Sequence, residues 1–184
     1  MQPGSRLIWL ILPVVIFFLL AILVFREIEM ATVVEGDLLD KPEVWAVNVG
    51  GSQYLGSDGV HYLADDVSLG GIVGSVESRI EGTQDPILYR TYRVGNLKIS
   101  RPTPNGVYDL IFKFSEPVGV PIGERIFNVK AENITVLKAL DVRRARDGRK
   151  NSELVRAVMN VSVEDGVLDI AFEGLVGEPL LSAI

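Results

Sequence analysis

The chain has no cysteine and one histidine, His61. Without thiols there is no disulfide, no thiolate nucleophile and no Cys-based metal site. A single imidazole removes most histidine acid–base and metal chemistry. Positive charge is in the minority: 18 Lys and Arg stand against 24 Asp and Glu, a net charge of −6, which suits nucleic acid poorly. Aromatic residues make up only 8 % of 184 positions. The carboxylates Glu116, Glu124, Asp141 and Glu173 are scattered, and no nucleophile–base motif accompanies them. The sequence therefore predicts neither catalysis nor a cofactor.

One stretch lacks charge altogether. Residues 7–25 (LIWLILPVVIFFLLAILVF) form an uncharged apolar run, while the rest of the chain beyond it reads as soluble protein. At about 1.5 Å per residue the run spans roughly 28 Å, the depth of a bilayer's hydrocarbon core. It is longer than a signal-peptide core, and the adjoining Arg26-Glu27-Ile28-Glu29 offers no small-x-small cleavage site. The expectation is an uncleaved signal anchor, with Trp9 near one interface and Pro13 in its first half. Arg6 flanks one end, and Arg26 and Lys41 the other, so the charge bias is slight. The orientation favoured puts residues 1–6 in the cytoplasm and the C-terminal domain outside, in a bacterial periplasm. Residues 26–42, mixed, acidic and ending in proline, read as a linker; residues 43–184 suffice for one domain with its own core.

Within that domain the hydrophobic period is two. Tyr108, Leu110, Phe112 and Phe114 alternate with Asp109, Ile111, Lys113 and Ser115. Phe127 and Val129 alternate likewise, as do Met159, Val161 and Val163, then Leu168, Ile170 and Phe172. Alternation marks strands with one buried face. Asp165-Gly166 between two such runs is a hairpin signal. Turn pairs recur at Gly50-Gly51, Asp58-Gly59, Gly70-Gly71, Asn105-Gly106 and Asp147-Gly148. Many short strands with regular turns predict an all-β sandwich.

Several segments, in order, resemble the malectin-like family. They are Asn48-Val49-Gly50-Gly51, then Asp58, Gly59, Tyr62 and Asp65, then Leu88, Tyr89, Thr91, Arg93 and Gly95. Next come Gly106, Tyr108, Phe114 and Glu116, followed by Arg125, Phe127 and Val129, Leu140-Asp141-Val142, and the closing PLLSAI of residues 179–184. The resemblance covers about 140 residues. It implies a jelly-roll-like β-sandwich that is exported, binds carbohydrate and does not catalyse. In such a family, loop aromatics stack on the sugar's apolar face. Here the stretches 74–82 and 94–99 carry no aromatic, and the loop after Asp141 is the basic RRARDGRK.

The candidate ligand platform is Tyr54, Asp58, Tyr62, Tyr89, Tyr92 and Asp141, for a carbohydrate or a partner surface. The competing reading is that these tyrosines cover the core. Asp58, Asp65 and Asp66 could hold calcium; capping of turns by Asp is the preferred reading, as no EF-hand spacing is present. Arg143, Arg144, Arg146, Arg149 and Lys150 form a basic loop that could dock on acidic protein or lipid headgroups, against the reading of a solvated loop. Asn133-Ile134-Thr135 and Asn160-Val161-Ser162 match the glycosylation sequon.

Two functions fit these features. In one, the chain is a docking subunit: its helix packs among other membrane subunits and its sandwich sits on their extracytoplasmic surface, a photosynthetic or respiratory complex being one natural host. In the other, it is an anchored receptor for glucose-type oligosaccharides.

Overall fold

The computed structural model describes residues 43–65, 69–117 and 119–184. The run 7–25 read as a membrane helix, the tether 26–42 and Asp66 lie outside these. Among the described residues no helix is long and apolar enough to cross a membrane.

The regular structure of the described residues is almost entirely β. The strands are β1 (Val47–Asn48), β2 (Tyr54–Leu55), β3 (His61–Ala64), β4 (Gly70–Ser75), β5 (Thr91–Pro102), β6 (Gly106–Phe114), β7 (Ile126–Ala131), β8 (Ile134–Leu140), β9 (Leu154–Val163), β10 (Val167–Val176) and β11 (Leu180–Leu181). A short helix, α1 (Ile87–Arg90), precedes β5, and a 3₁₀ turn covers Arg144–Arg146. One sheet runs β4–β5–β10–β7–β8, with β11 also on β5. The second joins β9–β6 to β1–β3–β2 through bridges from Ala183 to Lys113 and Asn48. The C-terminal segment thus crosses from one sheet to the other. It is held there by Val47 N–H to Ile184 O (2.8 Å) and Ile184 N–H to Val47 O (3.2 Å).

The core between the sheets follows from the alternation. Phe112 and Phe114 on β6 face Phe172 on β10 and Phe127 on β7. Phe112 meets Phe172 edge-on at 6.1 Å, and Phe114 meets Phe127 at 5.8 Å. Each such aromatic pair adds about 0.5–1.5 kcal/mol beyond its buried area. A second, smaller cluster comprises Ala46, Tyr62, Ile80, Leu88, Tyr89 and Ala183, gathered from β3, α1 and the segments beside them.

Two expectations change. Asp165-Gly166 does form a tight turn, with Gly166 at φ +82° and Val167 N–H donating to Asp165 Oδ1 at 3.1 Å. It does not close a hairpin. β9 pairs with β6 in one sheet, whereas β10 pairs with β5 and β7 in the other. Alternation tells which face is buried but not which strand lies alongside, and an arch between layers buries both inner faces as well as a hairpin does. The second change is a bulge between Tyr108 and Leu110 opposite Val158–Val161. It moves Val158, rather than Met159, against the core.

Candidate recognition site

The Asn48-Val49-Gly50-Gly51 turn borders a shallow cleft through Asn48 and Gly51. Asn48 is buried; its Nδ2 donates to Ser52 O at 2.8 Å, and its Oδ1 accepts from Thr91 Oγ1 at 3.3 Å. Gly50 has φ +74°, and a Cβ there would lie 2.8 Å from Tyr92 O. Both facts require glycine. The Gly50 N–H donates to Asp65 Oδ2 at 2.9 Å, and the same oxygen takes Arg93 Nε at 2.6 Å. Arg93 also donates to Gly70 O at 2.8 Å, tying β4, β5 and the turn together.

The tyrosines separate by environment. Tyr54 is half-buried on β2, and its hydroxyl donates to Asp85 Oδ1 at 2.9 Å. Asp85 is itself buried and also accepts from Ser57 N–H at 2.8 Å and Ser57 Oγ at 2.7 Å. Burial alone would raise the Asp85 pKa. The Ser57 hydroxyl and amide, the Tyr54 hydroxyl and the charge of Lys113 outweigh it and hold the carboxyl below its ordinary value. Burial, then the hydrogen bond to Asp85, pushes the Tyr54 phenol up.

Tyr62 is only 4 % exposed, Tyr89 1 % and Tyr92 8 %. Tyr62 lies under Lys113, whose Nζ is 5.1 Å from the ring centroid, and its hydroxyl donates to Asp58 Oδ2 at 3.3 Å. Burial and then the Asp58 charge raise the Tyr62 phenol far above its usual range. Tyr89 packs in the second cluster; burial first, then the charge of Glu153, raises its phenol likewise. Tyr92 lies across Gly74 of β4, where a Cβ would meet its ring at 2.5 Å.

Asp58 caps its own turn, accepting from Val60 N–H at 3.0 Å, and takes Lys113 Nζ at 3.4 Å. Asp58 and Asp65 thus answer to different cations, Lys113 and Arg93. Among the described residues no three His, Cys, Asp or Glu side chains converge as a metal site. Asp141 is buried; it accepts from Gly123 N–H at 2.8 Å and Arg144 N–H at 2.9 Å, and so closes its own loop.

The basic loop is partly structural. Arg143 donates to Gly148 O at 2.9 Å and Val120 O at 2.8 Å. Arg144 faces Asp141 at 3.5 Å, and Arg149 faces Asp147 at 3.3 Å. Arg146 donates from Nε and Nη2 to Ser152 Oγ at 3.2 and 3.1 Å. Lys150 is exposed.

Two shallow clefts meet at Gln53. One, about 310 Å³, is polar: Asn48, Ser52, Ser75, Glu77, Arg90 and Thr91 line it. The other, about 330 Å³, lies along the β2–β3 pair between Tyr54, Leu55, His61, Tyr62 and Leu63. Among the expected residues, Tyr54 and Tyr62 come together here. Tyr89, Tyr92 and Asp141 line neither cleft. Sequence reasoning missed Asp85 and Arg90. Asp85 stands just before Pro86 at the start of α1, a helix of one turn that leaves no periodic trace.

Comparison with known proteins bears on the family and the fold. Residues 43–184 match the malectin domain family. Malectin-A of Xenopus laevis is 28% identical over 140 residues, covering 71% of this chain and 49% of its own length. Human malectin is 29% identical over 114 residues, covering 56% of this chain and 38% of its own. The chain therefore spans about half or less of the length of these relatives. Among solved structures, the extracellular domain of ANXUR2 from Arabidopsis thaliana superimposes with a TM-score of 0.64 at 17% identity, over 76% of this chain and 47% of that one. A β-glucuronidase of Bacteroides uniformis does so with a TM-score of 0.66 at 21% identity, over 76% of this chain and only 17% of the enzyme. At such identities these superpositions establish the fold alone. With most of the chain matched by the family model, this protein belongs to the malectin domain family.

Proposed function

We propose that the chain is a non-catalytic docking subunit: residues 7–25 anchor it as a single membrane pass, residues 1–6 are cytoplasmic, and residues 43–184 form the extracytoplasmic recognition body. One observation carries the docking reading. Three of the four tyrosines available for a sugar platform, Tyr62, Tyr89 and Tyr92, are buried in the fold. Meanwhile β4 has one strand neighbour among the described residues, β5, and leaves Ile72 76% and Val73 48% exposed. An uncharged apolar sheet edge is suited to contact with another protein.

The test is affinity capture in mild detergent followed by mass spectrometry. A C-terminal tag would disturb the Val47–Ile184 bonds. The exposed β7–β8 turn at Asn133 is the better insertion point. Recovery of a stoichiometric membrane complex, lost on Ile72→Lys with Val73→Lys, supports docking. A lone protein in every preparation, whose apolar edge can be charged without consequence, refutes it.

A second reading, an oligosaccharide receptor for glucose-type sugars, is favoured by one feature. The polar cleft at Asn48 and Thr91 is lined by Arg90, whose Nε is a buried donor without an acceptor. Buried donors are normally satisfied, so an acceptor-rich ligand fits there. Binding on a glucose-oligomer array that is lost with Arg90→Ala and Gln53→Ala would select this reading.

A further inference from the structure

Two side chains of the polar cleft are already committed to the fold. Asn48 Nδ2 donates to Ser52 O at 2.8 Å, and Thr91 Oγ1 donates to Asn48 Oδ1 at 3.3 Å. Gly51 makes room for them. A Cβ there would come within 2.4 Å of Asn48 Nδ2 and 2.7 Å of Thr91 Oγ1. The cleft is thus held open by a glycine and shaped by a fixed Asn–Thr pair. Its other polar groups belong to Ser52, Gln53, Ser75, Glu77 and Arg90.

Arg90 closes α1. Its carbonyl accepts from Val76 N–H at 2.8 Å, which ties the helix to the segment after β4. Arg90 is half-buried, its Nε has no acceptor, and among the described residues it forms no ion pair. Glu77 lines the same cleft and is exposed, and the two charges do not meet within ion-pair distance. One cleft therefore holds a cation and a carboxylate, each unmatched among the described residues.

No aromatic residue lines this cleft; Val76 and Ile87 are its larger apolar groups. A neutral sugar would find no ring to stack on. Its hydroxyls would only exchange bonds to water for bonds to the protein, a small net gain. A carboxylate changes the balance. Its two oxygens match the planar guanidinium fork, and such charged hydrogen bonds are roughly twice as strong as neutral ones. Glu77 repels a bare anion but accepts from hydroxyls, and the Gln53 amide both donates and accepts. The complement of this cleft is one molecule with a carboxylate at one end and hydroxyl donors at the other.

We propose that the cleft binds an acidic sugar, a hexuronate, with its carboxylate on Arg90 and its ring hydroxyls on Glu77 and Gln53. Such binding presupposes the receptor reading and narrows its ligand from neutral glucose-type sugars to uronic acids.

The test is isothermal titration calorimetry on the full-length chain in neutral detergent. Four tetrasaccharides of one linkage are compared: glucuronate, its methyl ester, glucose, and glucose sulfated at O6. The glucuronate oligomer should bind about tenfold or more tighter than the ester, which keeps the shape and loses the charge. Arg90→Gln should remove that advantage. Arg90→Lys keeps the charge but loses the fork, and should fall between. Glu77→Gln removes the like charge while its amide oxygen still accepts, so glucuronate should bind it more tightly than the parent. Lys138→Gln on β8, outside the cleft, should bind as the parent does. Circular dichroism verifies each fold. Should Arg90→Gln not fold, the ester comparison and Glu77→Gln decide with Arg90 intact. Equal affinity for glucose and glucuronate would overturn the acidic preference and leave the receptor reading standing. Absence of binding in all four arms would overturn both. Binding of the sulfated oligomer alone, or a preference for glucuronate that survives Arg90→Gln, would overturn the proposal.

Discussion

Arg93 and Asp65 meet at 2.6 Å inside the molecule, their side chains 8 % and 7 % exposed. The same Asp65 oxygen also takes the Gly50 N–H. This pair joins β5 to the turn that frames the polar cleft. Removing one partner of a buried ion pair leaves the other charge uncompensated, at about 3–5 kcal/mol. Arg93→Met should lower the unfolding free energy by that amount in urea titrations. The double variant Arg93→Met with Asp65→Asn should recover much of the loss. An Arg93→Met protein as stable as the parent would show that the pair holds nothing together.

Gly50 tests the same turn from the backbone side. Its φ of +74° and the 2.8 Å approach to Tyr92 O leave no room for a methyl group. Gly50→Ala should destabilise by more than about 1 kcal/mol. Gly59 also has a positive φ, +83°, but open space around it. Gly59→Ala should therefore be the milder change in the same thermal unfolding series, and the reverse order would contradict the packing described.

Tyr89 and Tyr54 should behave differently although both are tyrosines of the expected platform. Tyr89→Ala empties a fully buried position in the second cluster, and large-to-small aromatic changes of this kind cost about 3–5 kcal/mol. Tyr54→Ala removes a half-buried ring and a hydrogen bond to Asp85, and the fold should survive it. Circular dichroism should register lost structure for Tyr89→Ala only. Loss of ligand binding in that variant would then report unfolding, whereas loss in Tyr54→Ala would report contact.

Asp85 makes a pH-dependent contribution. Its folded pKa is lowered, so the stabilisation is complete above the ordinary carboxylate value, about 4. It is lost as pH falls from there through the folded value. Asp85→Asn should be less stable than the parent at pH 7, and the gap should close under more acidic conditions. Ser57→Ala, which removes the 2.7 Å hydroxyl bond, should narrow the pH window by raising the folded pKa. A parent–variant gap that stays constant from pH 7 to about 3 would contradict the assignment.

The architecture was largely legible from residue alternation. Phe112, Phe114, Phe127, Ile170 and Phe172 point inward as their spacing requires, because a pleated strand leaves alternate side chains no other face. The asparagine–glycine turn was legible too, since a positive φ beside a close backbone contact admits little but glycine. The site was less so. Tyr62 and Tyr89 can cover a core or face a ligand with equal chemical ease, and only the cluster formed by β3, α1 and the segments beside them decides for burial. Asp141 likewise reads as a free carboxylate in the chain and proves to cap its own loop.

Composition and periodicity by themselves determined that this domain is β-built, thiol-free and acidic, and where most of its turns fall; Gly70-Gly71, expected as a turn pair, opens β4 instead and pairs with β5. Those properties are local: they depend on a residue and its near neighbours along the chain. Which strands lie side by side, and that the Asp165-Gly166 turn crosses between sheets, were decided only in three dimensions. Each depends on residues far apart in sequence, brought together when both sheets bury their inner faces at once.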